Sequence, residues 1–349
     1  MTEGLDQIIG LLRHSHECKA SDLHISVGSP PVMRVHGILQ RIGEELVSTE
    51  AASAMAMALL NQDQQERFEQ SGEVDFSYEL EGCSRYRINA YRQRGRVSIA
   101  IRTIPTAIPT LEQLQLPPIL ATLANKHQGL VLVTGPTGSG KSSTLAAMID
   151  YINRTQKKHI VTLEDPIEFL HAHQQSVVDQ REVGNDTKSF ANGLRAALRQ
   201  DPDVILVGEM RDLETISAAV TAAETGHLVF ATLHTSDAPQ TIDRIIDAFP
   251  AHQQAQVRAQ LAAVLVAVIS QRLLPRSGGQ GRMCATEIMV NNPAVANLIR
   301  TEKIHQIKSV MQTGRAQGMH TMDASIKEML QQGLVDALTA KAYISEGVH

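Results

Sequence analysis

The sequence predicts an α/β protein in two parts: an α+β module over residues 1–103, and a larger domain over 111–349 that is built on a parallel sheet and ends in helices. Three observations carry this. Leu130-Val131-Leu132-Val133-Thr134 is an unbroken apolar run rich in β-branched residues, the pattern of a strand buried on both faces. Further runs at residues 159–163, 204–207 and 227–235 alternate with stretches of helical spacing, the order of a βαβ sheet. Before residue 104 the chain instead alternates polar and apolar residues between turn signals, as half-buried antiparallel strands do.

Gly135-Pro136-Thr137-Gly138-Ser139-Gly140-Lys141-Ser142 follows the first run directly, and residues 143–149 continue with apolar positions at helical spacing. Strand, glycine loop, Lys-Ser pair and helix together match the P-loop pattern in the context it needs. The glycines let successive N–H groups turn toward phosphate oxygens, and the helix adds its positive dipole end. Lys141 is placed to reach the β- and γ-phosphates and Ser142 to ligate Mg²⁺, with Ser143 beside it. The sequence therefore predicts a nucleoside triphosphate with Mg²⁺ in loop 135–143.

At 349 residues the chain is long enough for two cores, and 43% hydrophobic content is ordinary for a globular protein. The longest apolar stretch, residues 261–269, is too short to span a bilayer and reads as part of an amphipathic helix. The N-terminus is polar, without a signal-peptide core. Cys18, Cys83 and Cys284 are odd in number and far apart, which points to a reducing, cytoplasmic setting with neither disulfides nor a zinc site. A net charge of −5 leaves no global footprint for nucleic acid.

Within the first module, residues 6–16 read as a helix and 21–27 as a strand. Gly28-Ser29-Pro30-Pro31 turns the chain into a second strand over 32–39. Helices follow at 49–60 and 62–68, then strands at 74–80, 85–91 and 97–104, an antiparallel meander with helices on one face. Arg85, Arg87, Arg92, Arg94, Arg96 and Arg102 crowd into residues 85–102. A solvated strand face accounts for any one of them; the cluster also suits guanidiniums that reach a neighbouring subunit's phosphates. Residues 104–110, with Pro105 and Pro109, read as a linker.

Three later segments complete a hydrolysis site. The run at 159–163 ends in Glu164-Asp165-Pro166-Ile167-Glu168, which puts acids where open α/β sheets bind ligands. Val204-Ile205-Leu206-Val207-Gly208-Glu209 is an apolar strand closed by a carboxylate, a Walker-B arrangement that holds the Mg²⁺ water shell or polarises the attacking water. Residues 227–235 end in His234-Thr235, placed to sense the γ-phosphate. Metal ligand, base and phosphate sensor are all present, so the segments agree on hydrolysis.

Residues 194–215, from Leu194-Arg195-Ala196-Ala197 through Glu209-Met210-Arg211-Asp212, resemble the signature of secretion-superfamily ATPases, which drive type II secretion and type IV pili. Glu164 to Glu168 resembles their Asp box and Thr225 to His234 their His box. Ala20-Ser21-Asp22-Leu23-His24 and Arg85-Tyr86-Arg87-Ile88-Asn89-Ala90 are similar to the family's PAS-like N-terminal domain. His305-Gln306-Ile307, Met311-Gln312-Thr313-Gly314 and Gly318-Met319-His320-Thr321-Met322 resemble the PilT-type retraction branch. In residues 294–301, Ala296 and Thr301 stand where that branch carries arginine and glutamate.

The resemblance implies a PAS-like domain followed by a RecA-like P-loop domain with C-terminal helices, assembled as a homohexameric ring with ATP near the subunit interface. It implies that Lys141 and Ser142 bind phosphate and Mg²⁺, that Glu209 is the Walker-B carboxylate, and that Glu164 or Glu168 prepares the water, with Glu168 slightly favoured. It assigns His227 and His234 to the His box, and Arg87, Arg96 and Arg102 as arginines acting in trans. The implied function is pilus retraction against an inner-membrane platform protein (PilC-like), from the cytoplasmic face and without spanning the membrane. Pilus extension or type II secretion is the alternative. A nucleic-acid translocase is disfavoured by acidic charge and 3% aromatic residues.

Overall fold

The computed structural model describes residues 2–105, 107–279 and 281–344. The chain forms two compact units: residues up to Ala107 together with Glu168–Leu170, and Ile108–Ile167 together with the residues from His171 onward.

The first unit runs α1 (Thr2–Glu17), β1 (Asp22–Ser26), β2 (Val32–Val35), β3 (Ile38–Arg41), α2 (Thr49–Leu59), α3 (Gln62–Ser71), β4 (Glu73–Leu80), β5 (Ser84–Gln93) and β6 (Arg96–Thr103). Its antiparallel sheet has the order β3-β2-β1-β6-β5-β4. The sheet is not one continuous meander, because two three-stranded runs join where β1 pairs with β6, Asp22 opposite Arg102 and Ser26 opposite Ser98. The single strand expected at residues 32–39 is a hairpin instead. His36 and Gly37 both take positive φ, 49° and 82°, the geometry of a tight turn between twisted strands.

Strand β5 shows how this unit is layered. Tyr86, Ile88 and Ala90 are buried in the core that also holds Ile8, Leu12, Met55 and Phe68 from the three helices, while Arg87 points to the exposed face. The Tyr86 hydroxyl donates to the Leu12 carbonyl at 3.0 Å and ties α1 to the sheet. Ser48 caps α2, and Asn61 and Gln64 form a reciprocal capping box on α3.

The second unit runs α4 (Ile119–Ala124), β7 (Gly129–Thr134), α5 (Lys141–Thr155), β8 (His159–Glu164), β9 (Val177–Glu182), α6 (Phe190–Ala197), β10 (Val204–Val207), α7 (Leu213–Glu224), β11 (Leu228–Leu233), α8 (Ala238–Asp247), α9 (Ala251–Val264), β12 (Leu265–Pro275), β13 (Arg282–Val290), α10 (Pro293–Arg300), α11 (Ile307–Thr313), α12 (Met322–Gln331) and α13 (Ala337–Tyr343). Its sheet has the order β13-β12-β7-β11-β10-β8-β9 and is parallel except for edge strand β13. Leu130 and Leu132 of β7 enter one apolar cluster, Val131 and Val133 another. Helices on both faces are why the run has no polar alternation. Each such side chain, fully buried, contributes about 1.5–3 kcal/mol.

Residues 261–269 do not form one helix: α9 ends at Val264 and β12 begins at Leu265. An all-apolar run has no period to separate the two states. At the chain's end Met322, Ile326, Val335 and Ala340 pack with Leu274 and Ala285 of the β12–β13 pair. The helical expectation for residues 345–349 lies outside the described residues. Among the described residues no helix is long and apolar enough to cross a membrane.

Candidate active site

Strands β7, β11, β10 and β8 are neighbours and parallel, so their C-terminal ends open along one edge, where α/β sheets bind ligands. From β7 the chain enters the glycine loop, with Gly135, Gly138 and Gly140 at φ of 141°, 78° and 91°. A Cβ on Gly135 would lie 2.5 Å from the Gln271 carbonyl oxygen, so only glycine passes there. No side chain caps the first turn of α5, which leaves its N–H groups facing the loop.

Lys141 Nζ donates to the carbonyl oxygens of Gly135 at 2.8 Å and Pro136 at 3.2 Å, which holds the ammonium over the cradle. The Ser139 side chain is buried and its Oγ has no protein partner. Ser142 and Ser143 follow half-buried in the first turn of α5, and Pro136, Thr137 and Gly138 form the exposed lip. A triphosphate fits this set: turned N–H groups, a helix N-terminus, an ammonium and an unpartnered buried hydroxyl.

Glu209 lies two residues past β10. Its Oε1 accepts from Arg211 Nε at 2.6 Å and pairs with His234 Nε2 at 2.9 Å. The surrounding turn is locked: Gly208 N–H donates to the Leu163 carbonyl at 2.7 Å, Met210 N–H to the Thr232 carbonyl at 3.1 Å. Burial alone would raise the Glu209 carboxyl; Arg211 and His234 outweigh it and hold the group below the ordinary glutamate range. It is therefore a carboxylate at neutral pH.

Glu164 ends β8, and its Oε1 accepts from Thr162 Oγ1 at 2.6 Å and Gln180 Nε2 at 3.0 Å. Gln180 Oε1 in turn accepts the His171 N–H at 2.8 Å, so the amide's donor end must face Glu164. Burial pushes the His171 imidazole down to about 4, which keeps it neutral at pH 7. Buried Glu182 takes the Ile167 N–H at 3.1 Å and fixes the start of the segment leading to Glu168. Glu168 is exposed and belongs to the Glu168–Leu170 stretch of the first unit.

The two histidines separate. His234 follows β11 at the loop edge, whereas His227 precedes it, with Nδ1 2.9 Å from the Ala222 carbonyl and its own carbonyl taking the Gly129 N–H at 3.0 Å. A six-residue strand lies between them, about 20 Å at the usual rise. The structure thus does not bring His227 to the P-loop of its own chain.

The arginines separate too. Arg87 and Arg102 are directly opposed on β5 and β6, and Asp22 takes Arg102 at 3.1 Å with Arg34 at 3.9 Å. Arg96 lies at the other end of β6, beside the hairpin tip of Arg94 and Gly95. Arg85 donates to Ser77 Oγ at 2.8 Å, and Arg92 stacks 5.3 Å from the Phe68 ring centroid. Sequence reasoning missed Arg211, Thr162, Gln180 and Glu182. Only Arg211 carried a signal, its place two residues after the Walker-B carboxylate.

The type II/IV secretion system protein family matches residues 6–342. A twitching motility protein of Neisseria gonorrhoeae is 50% identical over 343 residues, covering 98% of this chain and 92% of its own length. A type IV pilus retraction ATPase, PilT, of Pseudomonas aeruginosa is 49% identical over 334 residues, covering 96% and 97%. The crystal structure of a pilus retraction motor PilT with bound ADP superposes with a TM-score of 0.88 at 47% identity, covering 96% of both chains. On a match of nearly its full length, the chain belongs to the type II/IV secretion system protein family.

Proposed function

We propose that the protein is an ATPase motor that powers type IV pilus retraction. The observation that carries the chemistry is the meeting of the Lys141 loop, Glu209, His234 and Glu164 on one sheet edge. Similarity to proteins named for twitching motility and pilus retraction carries the direction of work.

In this reading the turned N–H groups of the loop and the Lys141 ammonium bind the β- and γ-phosphates, and Ser139 Oγ gains an acceptor. Ser142 Oγ and the Glu209 carboxylate, hard oxygen donors of the kind Mg²⁺ prefers, would hold that ion with the nucleotide, and it would supply neutralisation of the phosphate charge. Glu168 takes the proton of the attacking water. Glu164 orients that water, because Thr162 and Gln180 both donate to its Oε1 and fix the side chain in place. His234 senses the γ-phosphate and passes its state to Glu209 through their 2.9 Å bond. His227 anchors the start of β11.

The active assembly is a homohexamer in which Arg87, Arg96 and Arg102 are presented to a neighbour's nucleotide as trans arginines. Residues 1–103 and 111–349 act as the two moving parts about the 104–110 linker. The ring works at the cytoplasmic face of the inner membrane on a platform protein. If the arginines act in trans, ATP turnover per subunit rises with protein concentration as rings form. Turnover constant down to dissociated monomers would remove that part.

Deleting the gene in the native cell and counting surface pili by electron microscopy tests the direction. More pili with twitching lost is the expected result. Bald cells would reassign the protein to extension, and an unchanged count would take retraction away from it.

A further inference from the structure

A buried carboxylate outside the mechanism links the phosphate sensor to the C-terminal helices. Glu287, in the middle of β13, is 3% exposed. Its Oε1 accepts the Ala238 N–H at 3.0 Å and its Oε2 the Met322 N–H at 3.3 Å. Those are the first residues of α8 and α12, so one carboxylate closes the N-termini of two helices.

Helix α8 begins only four residues after His234, and its first turn is fully accounted for. Ala238 donates to Glu287, Pro239 has no N–H, Gln240 donates to Asp237 Oδ1 at 2.9 Å, and Thr241 to the Asp237 carbonyl at 3.0 Å. Asp237 makes a second tie to the same region, since Lys308 Nζ of α11 lies 3.1 Å from its Oδ2. Burial raises the Glu287 carboxyl, the two N–H groups and Lys308 work against that, and Asp237 adds to it. Around Glu287, β13 is gripped by the approach to α12. Thr286 Oγ1 bonds His320 Nε2 at 2.9 Å, and Ile288 and His320 exchange backbone bonds at 2.9 and 3.1 Å.

We propose that Glu287 is a positioning residue for His234: by fixing the start of α8 against α12, it sets the loop 234–237 and makes the C-terminal helices part of the γ-phosphate response. This rests on the sensing role given to His234 above. A glutamine would keep one acceptor and turn its NH₂ against the other N–H, leaving one helix start unclosed.

The test is steady-state ATP hydrolysis by the full chain, as wild type, E287Q, H234A and the double variant. E287Q is expected to lower kcat about tenfold with KM for ATP within about twofold, and to cause no further loss in the H234A background. Equal fold-losses in both backgrounds would make Glu287 merely structural and overturn the proposal alone, as would unchanged kcat in E287Q. Wild-type turnover by H234A would overturn the sensing role and this proposal with it. Should E287Q not fold, K308M breaks only the second tie; a loss of about threefold that vanishes with H234A is expected, and an additive loss overturns the proposal.

Discussion

Glu209→Gln is expected to lower kcat for ATP about 10²–10³-fold while ATP affinity stays within about threefold. Glutamine keeps the size of the side chain and one acceptor, so the turn locked by Gly208 and Met210 survives. What disappears is a full negative charge in a site where Arg211 and His234 already stabilise the ionised form. That charge organises the metal's water and answers His234, and both tasks belong to the transition state more than to binding. Phosphate release under saturating ATP and nucleotide titration by calorimetry separate the two effects. A variant that turns over within about threefold of wild type would remove Glu209 from the catalytic set.

Glu168→Gln and Glu164→Gln divide the labour of the acidic segment. Removing a general base from its water costs about 10²–10⁴ in kcat, and that loss is expected for Glu168→Gln. Glu164→Gln is expected to lose only about tenfold, because a glutamine can still accept from Thr162 and Gln180 and hold its place. Single-turnover hydrolysis, free of product release, measures both. The reverse ranking would hand the base to Glu164, whose fixed carboxylate would then be preorganised to take the proton.

Strand β7 and its loop were legible in the sequence because burial on both faces and the need for glycine at tight φ leave few alternatives. Walker-B and His-box strands were legible for the same reason, each an apolar run that ends in a polar group. The failures have separate physical causes. Residues 32–39 look like one strand until His36 and Gly37 both adopt positive φ, a choice of backbone that composition only weakly signals. Residues 261–269 are uniformly apolar, so the change from α9 to β12 is decided by pairing with β7. Strand β9 reads Val177-Val178-Asp179-Gln180-Arg181-Glu182 and has no apolar run, so Gln180 stayed hidden although it orients Glu164. His227 and His234 are near in sequence, yet a strand converts seven positions into opposite edges of the sheet.

The strand order also sets a timetable for synthesis. In the first unit every strand partner has emerged by Thr103, including the β1–β6 closure. Strand β7, which carries the nucleotide loop, must wait for β11 on one side and for β12, starting at Leu265, on the other. A nascent chain therefore holds an incomplete sheet, with β7 not yet paired on both sides, while residues 135–264 are added. Closure over such sequence separation is slow in search as well as late in time. For this protein the exposure to chaperones and to misassembly is concentrated in the interval between the first strand of the sheet and its last.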